Sequence, residues 1–204
     1  MRLTTQTLFC SALLLALSSG LVACGSDDQL SLNEYMDRID SAATVAGERG
    51  EELVADAVGI GDVTPVQLQS FLARSLDDLR IPLQETVDEL TPPDQLADLH
   101  ERLWGWHADL IAVETTLASR VGDTEDTDAG WTALSDSPEM EAYRATLAEG
   151  KELCDGFQAE LDAITAVGGF ADVPWMPGEL GGVVETALGC QWFPDRPADI
   201  YRYP

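Results

Sequence analysis

The stretch Asp94 to Val121, DQLADLHERLWGWHADLIAVETTLASRV, carries apolar side chains at Leu96, Leu99, Leu103, Trp106, Leu110, Val113 and Leu117, spaced alternately by three and four residues. That spacing lays a single stripe along an α-helix, so it predicts a helix over residues 94–121 whose stripe is a seam against neighbouring helices. A strand would need alternation by two, and no long segment of the chain shows it.

Working outward toward the N-terminus, Thr91-Pro92-Pro93 stops a preceding helix that opens at Thr64-Pro65-Val66-Gln67, with Pro at the first helical position and Gln in the capping place. Its stripe runs from Leu68 through Phe71, Leu72, Leu76, Leu79, Leu83 and Val87 to Leu90, and Pro82 is expected to bend it by removing one hydrogen bond. Ahead of a turn at residues 59–63, Ser31-Leu32-Asn33-Glu34 reads as a capping box opening a helix to about Val58. Leu32, Tyr35, Met36, Ile39, Ala43 and Ala46 share one face of that helix, and Gly47 and Gly50 are weak points where a kink is expected.

Toward the C-terminus, residues 122–135 read as an acidic loop, and Ser137-Pro138-Glu139 opens a fourth helix. Met140, Tyr143, Leu147, Cys154, Phe157, Leu161 and Ile164 repeat the seam spacing there. Residues 168–204 turn to Gly, Pro and aromatics; a short helix fits Glu179 to Leu188, and the rest should be irregular chain. The fold expected is all-α: an antiparallel four-helix bundle over residues 31–167 with crossings of about 20°. The irregular tail, 168–204, packs on it.

The N-terminus supplies an address. Met1-Arg2 is a short positive start, Leu8 to Leu17 is apolar apart from Ser11, and Ser18-Ser19-Gly20 loosens the chain before Leu21-Val22-Ala23-Cys24. The order is that of a secretory signal, and the apolar run falls short of the roughly 20 residues a membrane span needs. Leu21-Val22-Ala23-Cys24 followed by Gly25 resembles the lipobox of bacterial lipoproteins, a resemblance confined to residues 1 to about 25. It implies that residues 1–23 are a cleaved signal peptide and that the Cys24 thiol receives a diacylglyceryl group. Residues 24–30 would then tether a domain to the extracytoplasmic face of the cell membrane, since two or three acyl chains hold stably where one does not. Beyond Cys24 the chain is similar to the small acidic helical lipoproteins of bacteria, a loose likeness that brings no activity with it.

Removing residues 1–23 leaves 181 of the 204, with 10 Lys+Arg against 37 Asp+Glu and a balance of −27. A domain so acidic, with no basic cluster, repels nucleic acid and anionic lipid surfaces, and the acidity reads as a solubility device. Outside the cytosol, Cys154 and Cys190 form an even pair and are expected to be bridged.

Constellations that would carry catalysis fail on spacing. His100 and His107 stand about 10 Å apart along one helix, too far to share a metal. His100-Glu101 begins a zincin motif that Trp104 ends, and Ala97 and Trp104 occupy the positions where a di-iron bundle needs Glu. Asp126-Thr127-Asp128-Ala129-Gly130 is similar to a calcium loop, but its Gly comes one place early and the twelfth position is Ser137. No nucleophile elbow, phosphate loop or Cys-x-x-Cys occurs. The expectation is therefore a protein without catalytic residues, cofactor or metal.

An aromatic group remains: Trp104, Trp106 and His107 on the third helix, Trp131 in the acidic loop, and Trp175 and Trp192 in the tail. It fits a ligand pocket or a cap on the core, since both bury Trp. The functions compatible with the sequence are a tethered binding or interaction domain for an envelope protein, a solute-binding receptor with Trp104, His107, Trp131, Trp175 and Trp192 as ligand contacts, and more remotely an envelope enzyme.

Overall fold

A computed structural model describes residues 29–57, 63–166, 181–184 and 190. The signal peptide, Cys24, all but the last residue of the turn expected at 59–63, and most of the tail, including Trp175 and Trp192, lie outside the described residues. Across the described residues the chain is all-helical, with six α-helices: α1 (Leu32–Ala57), α2 (Pro65–Ser75), α3 (Ile81–Asp88), α4 (Ala97–Gly122), α5 (Asp128–Ser135) and α6 (Pro138–Ala166). A π turn, Leu76–Arg80, joins α2 to α3, and a 3-10 turn, Asp94–Leu96, leads into α4.

Local chemistry fixes where these helices begin. The Ser31 hydroxyl accepts from the Glu34 amide at 3.3 Å, and the Glu34 carboxylate accepts from the Ser31 hydroxyl at 2.6 Å and from the Ser31 amide at 3.0 Å; the two bonds to the carboxylate, the hydroxyl's first, hold the Glu34 carboxyl below its ordinary pKa. Thr64 and Gln67 repeat the exchange ahead of α2, where Pro65 takes the first helical place. The glycines do not interrupt α1, which runs unbroken through Gly47 and Gly50.

The core is arranged around α4, which packs most extensively against α6 on one side and α2 on the other and also touches α3 and the π turn. That position explains why its buried surface is wider than one seam. Leu99, Leu103, Trp106, Leu110 and Leu117 are buried as the spacing predicts, and Trp104, His107, Glu114 and Val121 join them. Trp106 donates its indole N–H to the Thr146 carbonyl of α6 at 2.8 Å, satisfying its one polar atom inside the interface. α1 closes over α2, the π turn and α3, with Met36 and Ile39 fully buried.

One expectation gains detail and another needs correction. At Pro82 the lost hydrogen bond is accompanied by a π turn, Leu76–Arg80, that ends two residues ahead of it, with the Ile81 amide donating to the Leu76 carbonyl. Pro82 has no N–H, and its ring would press on the carbonyl four residues back, so one wider turn accommodates it. The stretch 122–135 is not all loop, because α5 fills its second half. Thr127 caps that helix, accepting from the Gly130 amide at 3.1 Å. Arg144 of α6 then anchors the end of α5, donating to the Ser135 carbonyl at 2.9 Å.

Cys154 of α6 and Cys190 stand at disulfide distance, with a Cα–Cα separation of 5.9 Å. Residues 181–184 form one helical turn, and Val184 is buried in the same core as Phe157 and Leu161.

Candidate functional site

Two features stand apart from ordinary apolar packing, and the first is a polar and aromatic spine inside the core. Along α4, His100, Trp104 and His107 fall three or four residues apart, so their rings succeed one another on one face: His100 to Trp104 at 6.5 Å and Trp104 to His107 at 5.8 Å between centroids. Tyr35 of α1 meets the outer end, its hydroxyl 2.9 Å from His100 Nδ1. Burial pushes the Tyr35 phenol up to about 12, against a hydrogen bond from the Trp104 indole, so the phenol keeps its proton and shares a hydrogen bond with His100 whose direction follows the imidazole tautomer. Burial also lowers His100, with Asp88 opposing.

At the inner end His107 is 1% exposed, and its Nδ1 lies 2.8 Å from Gln84 Oε1. A side-chain amide oxygen can only accept, so Nδ1 carries the proton. The Gln84 amide nitrogen in turn donates to Asp88 at 2.7 Å. Burial first, and the Arg80 guanidinium second, bring the His107 pKa down to about 3. Arg80, the last residue of the π turn, forms an ion pair with Glu114, whose side chain is 1% exposed. Each titratable group of the spine therefore has a partner among the described residues.

The second feature is a surface groove of about 400 Å³ between α1 and the π turn with α3. Its lining is mainly apolar, with Ala42, Val45 and Ala46 on one side and Leu79, Pro82 and Leu83 on the other. Val45 is 57% exposed there. Arg38 and Arg49 stand on the α1 wall, Asp78 and Glu89 on the opposite wall. The Leu30 amide donates to the Thr91 carbonyl at 3.1 Å, placing the start of α1 beside the end of α3. Arg38 thus lies at the Glu89 end and Arg49 at the Asp78 end. Arg49 also pairs with Glu52 at 2.9 Å, and Asp78 with Arg74 at 3.6 Å.

Comparison of the chain with protein-family models, with curated proteins and with solved structures finds no similar protein in any of the three.

Of the residues the sequence singles out for ligand contact, the structure brings Trp104 and His107 together in the core, with Trp104 3% exposed. Trp131, half-buried on α5, donates its indole N–H to Asp126 at 3.2 Å. None of these three lines the groove. Gln84, Arg80 and Glu114 escape the sequence reading, which placed Tyr35 only on the packing face of the first helix. For Glu114 the signal was present: it lies four residues after Leu110 and three before Leu117, as central to the stripe as Val113, which is only half-buried. Among the described residues no group of three or more His, Cys, Asp or Glu side chains could hold a metal ion. No helix among them is long and apolar enough to cross a membrane.

Proposed function

We propose that this protein is a lipoprotein anchored through Cys24 to the extracytoplasmic face of the cell membrane, where its domain binds another molecule without transforming it. In this reading the domain is an antiparallel four-helix bundle with α1, α2 continued by α3, α4 and α6 as its arms, and α5 as a bridge between the last two. The observation that carries the binding role is the α1–α3 groove, an open apolar floor with charged walls on an otherwise acidic surface. The histidines that could do chemistry are instead engaged by Tyr35 and Gln84. Tethering confines the groove to a thin layer near the membrane and raises its effective concentration for envelope partners.

A solute receptor is the second reading, favoured by the groove volume of about 400 Å³, which lies within the range of small-molecule sites. Native mass spectrometry on the domain released gently from its own envelope separates the two. A bound mass of a few hundred daltons supports the receptor, whereas a protein complex supports the interaction domain. The anchor has its own test. Cys24→Ser should leave an uncleaved precursor without the diacylglyceryl mass, and a variant processed and held at the membrane like the wild type would refute the lipoprotein assignment.

A further inference from the structure

We infer that the α1–α3 groove receives a three-turn helical segment of a partner protein, with an apolar stripe flanked by carboxylates on one side and by lysines or arginines on the other. This rests on the binding-domain reading above and specifies what that domain binds. Length is the first argument. Arg38 and Arg49 are eleven residues apart on α1, three turns, so they stand on the same flank about 16 Å from one another along the helix axis. Asp78 and Glu89, also eleven residues apart, mark the two ends of the facing wall.

Shape and sign supply the rest. An apolar floor between two helices fits the apolar stripe of a third, the arrangement by which amphipathic helices dock in grooves. One wall carries arginines and the other carboxylates, and because Arg49 and Asp78 also pair with Glu52 and Arg74 the selection rests mainly on Arg38 and Glu89, which set opposite signs on the two walls. A mixed helix, acidic toward α1 and basic toward α3, meets opposite charge on both. A second copy of this chain is a poor occupant, because two molecules each near −26 repel before they meet. The π turn contributes Asp78 and Leu79 to the site and Pro82 follows two residues after it, so an irregular turn of the kind often found at functional positions shapes one end. Exposed charge pairs add little affinity; the floor supplies binding and the walls supply selection.

The test uses the purified full chain and two fluorescent, helix-constrained peptides of about 14 residues. Both carry the same leucine stripe and the same numbers of Glu and Lys. One has Glu on one flank and Lys on the other, and its control has them mixed on both flanks. The segregated peptide should bind about tenfold tighter at about 50 mM salt, and the gap should narrow at about 500 mM. Val45→Asp should weaken binding about tenfold and Arg38→Glu several-fold. Both residues are exposed, and unchanged far-ultraviolet circular dichroism would confirm that the variants fold. Equal binding of the two peptides, no binding of either, or full binding by the Val45→Asp protein overturns the proposal. So does a chain dimer, or a co-purifying small molecule, that Val45→Asp abolishes. None of these outcomes touches the lipid anchor, which stands or falls on Cys24→Ser.

Discussion

His107 stays neutral in the fold well below its ordinary range, and this sets a pH dependence for stability. The unfolded chain takes up a proton at this side chain near pH 6.5, whereas burial and the Arg80 charge delay that uptake in the folded state to about pH 3. As pH falls between those limits, protons favour the unfolded state. The folded domain is therefore at full advantage above about 6.5 and loses up to about 1.4 kcal/mol per pH unit going down. His100, lowered by burial, acts in the same sense. Replacing the ring, as in His107→Gln, should flatten the fall in urea midpoint between pH 6.5 and about 4 relative to wild type; parallel pH profiles would contradict this account. The neighbouring Arg80–Glu114 pair makes a second prediction. Arg80→Ala strands a carboxylate that is 1% exposed, at a cost of about 3–5 kcal/mol in urea unfolding. Arg80→Met with Glu114→Leu should recover most of that loss, since an apolar pair has no charge to desolvate.

Among the elements, α5 shows what a sequence reveals and what it hides. Thr127 caps it and Gly130 is its third residue, at a place where an added Cβ would fall on the backbone carbonyl of Glu125. Within most helices Gly→Ala stabilises by up to about 1 kcal/mol. Here the obstacle is backbone, so Gly130→Ala should destabilise by about 1–3 kcal/mol in thermal melts, and a rise in Tm would refute the close approach. The capping boxes at Ser31 and Thr64 and the α4 stripe were legible in the sequence because each is a local pattern with a fixed spacing. α5 was not, because its cap sits inside an acidic run that looks like loop by composition. Pro82 announced a disturbance without saying that a π turn would form ahead of it. The groove was illegible for a different reason. Its two walls come from stretches about 40 residues apart, and no single-stretch periodicity reports how α1 lies against α3. His107 and Trp104 were visible as residues, but their burial depends on α4 being covered on several sides.

At the scale of the molecule, 37 acidic side chains against 11 basic ones oppose compaction, because folding brings like charges closer than the unfolded chain holds them. Exposed ion pairs such as Arg102 with Glu160 and Lys151 with Asp155 offset little of this. The apolar core built on α4 and the link between Cys154 and Cys190 must therefore hold the chain together against its own charge. The bridge spans a sequence separation of 36 residues and joins α6 to the region that places Val184 against Phe157 and Leu161. In the chain-entropy account a loop of that size removes about 4 kcal/mol of unfolded-state freedom. Cys190→Ser should thus lower unfolding stability by about that amount, and wild type held in reductant should match it, since both lose the same constraint. The loss should leave a protein that gains more from added sodium chloride than is usual, because screening weakens the repulsion that the missing bridge no longer resists. If Cys190→Ser and wild type unfold at the same denaturant concentration under oxidising conditions, the bridge adds nothing to the stability of the core that Val184 shares with Phe157 and Leu161.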